Sequence, residues 1–269
     1  MIVFLELMRP LNCLMAAVAA IIGLLIAGGR EIEAEAAIFL AVFLVTGAGN
    51  AVNDYFDREI DIINRPKRPV PSGRIAPQAA LLCSLALFFS GCVLAALVNE
   101  LCLGIAAANS ALLFIYARNL KATPLAGNLC VAYLTGSTFL FGGAAFGWPG
   151  LSANLVPFAL SSLATMSREI MKDVEDLEGD RIGGAKTLPI LAGERLSSAL
   201  AMLFSLCAIV LSFQPAFGDA YLAIIAIADL FLLAAIWKII KKDASGSQKA
   251  LKLGMAVALL AFLATAVMD

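Results

Sequence analysis

Residues 79–117 read Ala79-ALLCSLALFFSGCVLAAL-Val98, then Asn99-Glu100, then Leu101-CLGIAAANSALLFIY-Ala117. Two apolar runs of 20 and 17 residues are separated by only two polar ones. At 1.5 Å of rise per residue, such runs match a hydrocarbon layer of about 30 Å. The rest of the chain repeats the pattern. Nine stretches qualify or come close, near 11–28, 36–53, 79–98, 101–117, 125–146, 152–170, 197–213, 218–238 and 249–267. The expected fold is therefore all-α: a polytopic membrane protein built as a bundle of nine transmembrane helices in 269 residues.

Composition supports this reading. Hydrophobic residues make up 61% and charged residues 14% of the chain, against roughly 25% charged in soluble domains. Mean hydropathy is +0.92. These values exclude an ordinary soluble domain and a disordered chain. With a net charge of −1 there is no global basic field for nucleic acid. The chain has no histidine, which removes Ser-His-Asp and Cys-His catalysis and histidine-ligated zinc or haem. Cys13, Cys83, Cys92, Cys102, Cys130 and Cys207 lie in or beside apolar runs without CxxC spacing and read as packing residues. The triplet Ala17-Val18-Ala19 could mark a signal-peptide cleavage site, but it lies inside the first apolar stretch, which reads as a span.

Loop charge gives an orientation. With the N-terminus in the cytoplasm, 18 of the 19 Lys and Arg residues fall on the cytoplasmic side, and Arg30 alone lies outside. The positive-inside rule then predicts the N-terminus cytoplasmic and the C-terminus outside. Asp229, within the eighth stretch, is an intramembrane acid and a functional candidate on that ground.

The chemistry is concentrated in two acidic stretches that share one spacing. Asn50-Ala-Val-Asn53-Asp54-Tyr-Phe-Asp57-Arg-Glu-Ile-Asp61 is matched, 119 residues later, by Glu169-Ile-Met-Lys172-Asp173-Val-Glu175-Asp176-Leu-Glu178-Gly179-Asp180. Steps of 4, 3 and 4 follow the helical period. At about 100° per residue the members of each set fall within roughly 60° of one another. Each set should form one stripe at the cytoplasmic end of a span, with Glu175 and Glu178 solvated and Gly179 a possible early stop before Asp180. Three close carboxylates repel one another. Hard oxygen ligands at this density suit Mg²⁺, which takes one or two carboxylates plus phosphate oxygens. The loops that follow supply phosphate donors: Arg65, Lys67, Arg68 and Arg74 after the first stripe, and Arg181, Gly183, Gly184 and Lys186 after the second.

At these residues the chain resembles the UbiA superfamily of intramembrane prenyltransferases over essentially its whole length, 1–269 as a single membrane domain. The family's first signature appears as Asn53-Asp54-x-x-Asp57-x-x-x-Asp61 and its second as Asp173-x-x-Asp176-x-x-x-Asp180. Tyr116-Ala-Arg118-Asn-Leu-Lys121-Ala-Thr-Pro124, followed by Gly127-Asn128, resembles its third motif. The opening Glu6-Leu-Met-Arg9-Pro10-Leu-Asn12 is similar to the archaeal ether-lipid branch.

The resemblance implies Mg²⁺-dependent transfer of a geranylgeranyl group from geranylgeranyl diphosphate to the free hydroxyl of geranylgeranylglyceryl phosphate. Asp54, Asp57 and Asp61 would hold one Mg²⁺ and Asp173, Asp176 and Asp180 a second, both bridging to the diphosphate. Arg65, Lys67, Lys121 and Lys186 would neutralise the leaving diphosphate, and Asn50 would orient the metal or the diphosphate. Arg9 and Asn12 would also bind substrate, with Arg9, Arg68, Arg74 and Arg118 available to the acceptor's phosphate. Tyr116, Phe56, Tyr133 and Phe139 could face the allylic cation. The partners implied are the prenyl diphosphate donor, a lipid-phosphate acceptor and the membrane lipid.

Four other readings follow the same residues less well. Prenyl transfer to an aromatic acceptor, as in quinone or haem side-chain synthesis, uses the same chemistry. A divalent-cation transporter should place acids through the bilayer depth, whereas these stripes sit at one mouth. A CDP-lipid phosphatidyltransferase lacks its D-G-x-x-A-R pattern here, and a soluble chain elongase lacks its DDxxD run.

Overall fold

In this computed structural model, which describes residues 2–29 and 32–268, the chain is all-helical. The helices are α1 Ile2–Met8, α2 Pro10–Ile26, α3 Ile32–Phe56, α4 Arg58–Asn64, α5 Pro77–Val98, α6 Glu100–Ile115, α7 Ala126–Ala144, α8 Gly147–Ala153, α9 Leu155–Glu175, α10 Leu177–Ile182, α11 Leu188–Ala192, α12 Glu194–Ser212, α13 Gly218–Ile240 and α14 Ala244–Met268. A single π-helical turn, Tyr116–Leu120, continues α6. Arg30, the one basic residue assigned to the outer side, lies outside the described residues.

Among the described residues, six helices are long and apolar enough to cross a membrane: those in Ala34–Phe56, Pro77–Val98, Glu100–Leu120, Glu194–Ser212, Gly218–Ile240 and Ala244–Ala266. The protein is a multi-pass membrane protein. The other three expected spans are helical but differ in character. Helix α2 has 17 residues. Helix α7 carries Gly127, Asn128, Gly136, Ser137, Gly142 and Gly143. Helix α9 carries Arg168, Glu169, Lys172, Asp173 and Glu175 in its last two turns.

Helices α5 and α12 have inverted amphipathicity, as suits a helix in lipid. In α5 the buried face is Ala80, Ser84, Phe88, Gly91 and Ala95, while Leu82, Phe89 and Leu97 point outward. In α12 it is Ser197, Ala201, Ser205, Ala208 and Ser212. Lipid tails are as apolar as leucine, so helices gain by close van der Waals approach of small residues rather than by hiding large ones.

The chain forms two compact units. One contains α1 to α6, the second half of α7 (from Thr138) and α8. Here α2 and α7 approach so closely that a Cβ on Gly142 would lie 1.8 Å from the Ala20 carbonyl oxygen, and one on Gly23 2.4 Å from that of Phe139. Asn99 is the single residue that connects α5 and α6. Its side chain caps α6 by accepting from the Cys102 N–H at 2.8 Å and donates to the carbonyls of Ala144 and Ala145. The other unit contains the first half of α7 and α9 to α14. Its core gathers Ala132, Met166, Ile170, Met171, Leu188, Ala201 and Ile239, and Ser167 and Ser205 share a buried hydrogen bond of 2.9 Å between α9 and α12.

The six cysteines are free thiols; Cys13, Cys102 and Cys130 are buried, as packing residues would be, whereas Cys207 is exposed. Asp229 also gains a partner: Ser212 donates to its carboxylate at 2.7 Å.

Candidate active site

The spacing predicts each acidic stripe on one helical face, with Gly179 as the point at which the second could stop. Each is interrupted at the same place. Helix α3 ends at Phe56 and α4 begins at Arg58, with Asp57 between them at φ −82°, ψ 0°. Helix α9 ends at Glu175 and α10 begins at Leu177, with Asp176 between them at φ −86°, ψ 4°. The hydrogen-bond register survives both breaks. The Asp57 N–H donates to Asn53 and the Asp61 N–H to Asp57, both at 2.8 Å. The Asp176 N–H donates to Lys172 and the Asp180 N–H to Asp176, both at 2.9 Å. The middle aspartate of each motif thus marks a shallow bend at which the path still turns helically. Gly179 lies inside α10, so Asp180 is helical rather than in a loop.

In the first motif Asp54 is 1% and Asp61 5% exposed. Both face one guanidinium: Arg68 Nη1 lies 3.2 Å from Asp54 Oδ1 and 2.5 Å from Asp61 Oδ2. Arg9 makes a second, short ion pair to Asp54 and donates to Asn50 Oδ1 at 3.4 Å. Asn50 in turn donates to the Met8 carbonyl at 2.8 Å. Arg9 holds this position from φ 54°, a left-handed conformation unusual for a residue with a Cβ. The loop bearing Arg68 is anchored on both sides of it. Val70 and Ile75 are buried with Leu7, Ala51 and Ala80. Arg74 makes a two-pronged bond to Glu6 at 2.6 and 2.8 Å and donates to the Lys67 carbonyl at 2.6 Å. That bond from Arg74 holds the Glu6 carboxyl below its ordinary value. Arg68 and Arg74, expected to be available to an acceptor phosphate, are therefore engaged with carboxylates. Arg65, Lys67 and Asn12 are exposed, and Tyr116 opens the π-turn partly buried.

The second motif has a different charge balance. Asp173 accepts a hydrogen bond from the neutral side chain of Asn128 at 2.9 Å. Glu169, 8% exposed, pairs with Arg168 and lies 3.9 Å from Lys172. Burial, reinforced by the Asp176 carboxylate, pushes Asp180 above the ordinary carboxylate value. The two cationic loops of this unit meet through the Lys186 N–H, which donates to the Ala122 carbonyl at 3.0 Å, so Lys121 and Lys186 are exposed on neighbouring segments.

Several residues around the motifs have contacts of their own. Glu175 is not merely solvated; it accepts a short hydrogen bond from Gln248 of α14. Phe139 is buried in the α2–α7 packing. Phe56 packs edge-on against Phe114 at 5.5 Å, and Tyr133 against Phe158 at 6.1 Å. Among the described residues, no three acidic or thiol side chains converge tightly enough to form a ready-made metal cluster. Mg²⁺ does not need one, because it takes one or two carboxylates and completes its shell with water and phosphate oxygens. The donor set fits. Asp54 and Asp61 already share one cationic nitrogen, and Asp173 offers a carboxylate with a neutral partner. Sequence reasoning missed the roles of Asn128 and Arg68 as direct partners of these acids. Asn128 was visible beside the third motif, but a contact spanning 45 residues leaves no periodic signal.

The chain belongs to the UbiA prenyltransferase family, whose profile matches residues 16–265. It is a membrane-embedded prenyltransferase. The chain is 52% identical over 261 residues to the digeranylgeranylglyceryl phosphate synthase of Methanothrix thermoacetophila, covering 96% of this chain and 97% of that one. Against the synthase of the same name from Methanococcoides burtonii the identity is 50%, covering 97% and 98%. A solved structure concerning digeranylgeranylglyceryl phosphate synthase in membranes superposes with a TM-score of 0.87 at 39% identity, covering 99% of this chain and 98% of that one. A UbiA homologue from Archaeoglobus fulgidus, solved with GPP and Mg²⁺, shares the fold with a TM-score of 0.69 at 17% identity, covering 95% of this chain and 99% of that one.

Proposed function

We propose that this chain is a digeranylgeranylglyceryl phosphate synthase. It moves the geranylgeranyl group of geranylgeranyl diphosphate onto the free hydroxyl of geranylgeranylglyceryl phosphate, in ether-lipid synthesis. The observation that carries this reading is the 52% identity, along nearly the full length of both chains, to a synthase of that name. The whole chain acts as one catalytic domain. It spans the membrane nine times, with α2, α7 and α9 completing the bundle, and has its N-terminus in the cytoplasm and its C-terminus outside. A C-terminal reporter active in the cytoplasm would contradict that topology.

Each acidic motif holds one Mg²⁺, two ions per chain. Asp54 and Asp61 are the ligands of the first with Asp57 at the bend, and Asp173 and Asp180 those of the second with Asp176. When bound, Mg²⁺ supplies positive charge to the diphosphate oxygens as the allylic carbon–oxygen bond breaks. The chain's own residues do the rest. Arg65 and Lys67, which follow the first motif, and Lys121 and Lys186, which precede and follow the second, are the donors to diphosphate oxygens. Tyr116 offers its ring face to the allylic cation. Asn128 positions Asp173 directly, and Asn50 holds Arg9, the partner of Asp54. The acceptor hydroxyl attacks the cation, and its proton leaves to the released diphosphate or to a motif carboxylate.

The test is mass spectrometry of the product when the protein is given geranylgeranyl diphosphate with a mixture of geranylgeranylglyceryl phosphate and a hydroxybenzoate. The account predicts digeranylgeranylglyceryl phosphate. Prenylated hydroxybenzoate as the sole product would overturn the acceptor assignment.

A further inference from the structure

The two motifs share backbone geometry but differ in what neutralises them, and the difference has a consequence for the order in which metal binds. Arg68 Nη1 stands 3.2 Å from Asp54 Oδ1 and 2.5 Å from Asp61 Oδ2, where a shared cation would stand. Arg9 also pairs with Asp54. The carboxylates are nearly sealed, with side-chain exposures of 2% and 6%, and the Arg68 side chain is only 17% exposed. A hydrated divalent ion must therefore displace a buried guanidinium before it can touch both acids. Asp173 has the neutral Asn128 as its hydrogen-bond donor. Lys172 is directed at Glu169, 3.9 Å away, which already pairs with Arg168. An incoming ion at Asp173 displaces no guanidinium.

We infer that the two Mg²⁺ ions load in order, with Arg68 as the gate. The Asp173 motif takes its ion in the absence of substrate. The Asp54–Asp61 motif stays closed on Arg68 until the diphosphate arrives and offers that guanidinium new anionic partners. Arg68 is thus a positioning residue. It holds the first pair of ligands together without metal, and moves from carboxylate to phosphate when the site is loaded. A guanidinium can make this exchange because its planar fork binds carboxylate and phosphate alike.

This inference rests on the proposed assignment of one Mg²⁺ to each motif, and a Mn²⁺ titration followed by electron paramagnetic resonance on the detergent-solubilised full chain separates the two. Without substrate, the wild-type protein should bind one ion tightly. Asp173→Asn should lose it, and Asp54→Asn should keep it. Arg68→Gln should bind a second ion at least about tenfold more tightly than wild type binds its second, and Asp54→Asn in that background should abolish the gain. Arg68→Gln should also melt earlier than wild type in chelator and recover on adding Mg²⁺. The wild-type count stands even if Arg68→Gln does not fold. Two ions of equal affinity in substrate-free wild type, or a second-site affinity unchanged in folded Arg68→Gln, would overturn ordered loading and leave the metal assignment intact. Failure of substrate-free wild type to bind any ion would also overturn ordered loading, whereas failure to bind any ion with geranylgeranyl diphosphate present would overturn the assignment itself.

Discussion

The two acidic motifs follow nearly the same backbone path and carry different charge. In each, a long helix ends one residue before the middle aspartate, bends, and resumes as a short helix bearing the last one. The first motif is neutralised from within the chain by Arg9 and Arg68. The second gives Asp173 an uncharged partner, Asn128, and gathers Glu169 and Asp180 nearby. Position 50 is Asn where its counterpart, 169, is Glu. Similar geometry with unequal compensation means that the two motifs would meet a metal ion on different terms: a guanidinium already bridges Asp54 and Asp61, whereas the hydrogen-bond donor to Asp173 is neutral.

Breaking either half should have the largest effect. Asp54→Ala and Asp173→Ala should each lower the rate of geranylgeranyl transfer by at least about 10²–10³-fold, since each removes a group that fixes charge stabilising the departing diphosphate. Melting temperatures should show both variants folded, and a wild-type rate in either would overturn the assignment of a catalytic metal to that motif.

Asn128→Ala sharpens the comparison at the next level. Loss of the 2.9 Å bond leaves Asp173 in place but free to turn. The expected outcome is a loss of about 10–100-fold in Mg²⁺ affinity, seen as a raised Mg²⁺ requirement with turnover largely recovered at saturating metal. A fixed loss of turnover at all Mg²⁺ concentrations would mean that Asn128 acts on substrate instead.

Glu169→Gln makes the second motif resemble the first at this position. Glu169 is tied to Arg168 and Lys172, so the effect should be smaller, about tenfold or less in metal affinity. Steady-state kinetics against Mg²⁺ concentration reads it.

The smallest effect belongs to Glu6→Gln, which frees Arg74 and loosens the loop carrying Arg68. The pair is exposed, and surface pairs contribute little. Its pH dependence has a defined sign. Arg74 lowers the Glu6 value below its ordinary 4.5, so the contribution is present above that value and fades as pH falls through the lower folded value. Wild type and Glu6→Gln should therefore converge in thermal stability in acid and differ slightly near neutrality.

Much of this was legible in the sequence, for physical reasons. Apolar runs fix where helices lie in lipid, and the runs at 79–98 and 101–117 correspond to α5 and α6 joined at Asn99. The spacing of four, three and four predicts one helical face for each set, and the i to i+4 backbone hydrogen bonds do continue through each bend. The bends themselves were hidden, because a residue at φ near −85° with ψ near zero needs no glycine or proline to mark it. Arg68 and Arg9 could be assigned to phosphate but not to carboxylate, since either partner satisfies a guanidinium and only the fold brings Asp54 and Asp61 to it. The Gln248–Glu175 and Asn128–Asp173 contacts join helices distant in sequence, and periodicity carries no information about them.

The most direct measurement is a crystal or electron-microscopy structure of the chain in lipid with Mn²⁺ and a non-hydrolysable analogue of geranylgeranyl diphosphate. The account predicts metal density beside Asp54 and Asp61 and again beside Asp173 and Asp180, with diphosphate oxygens in each coordination shell. Metal at neither pair, or a diphosphate bound away from both, would contradict it.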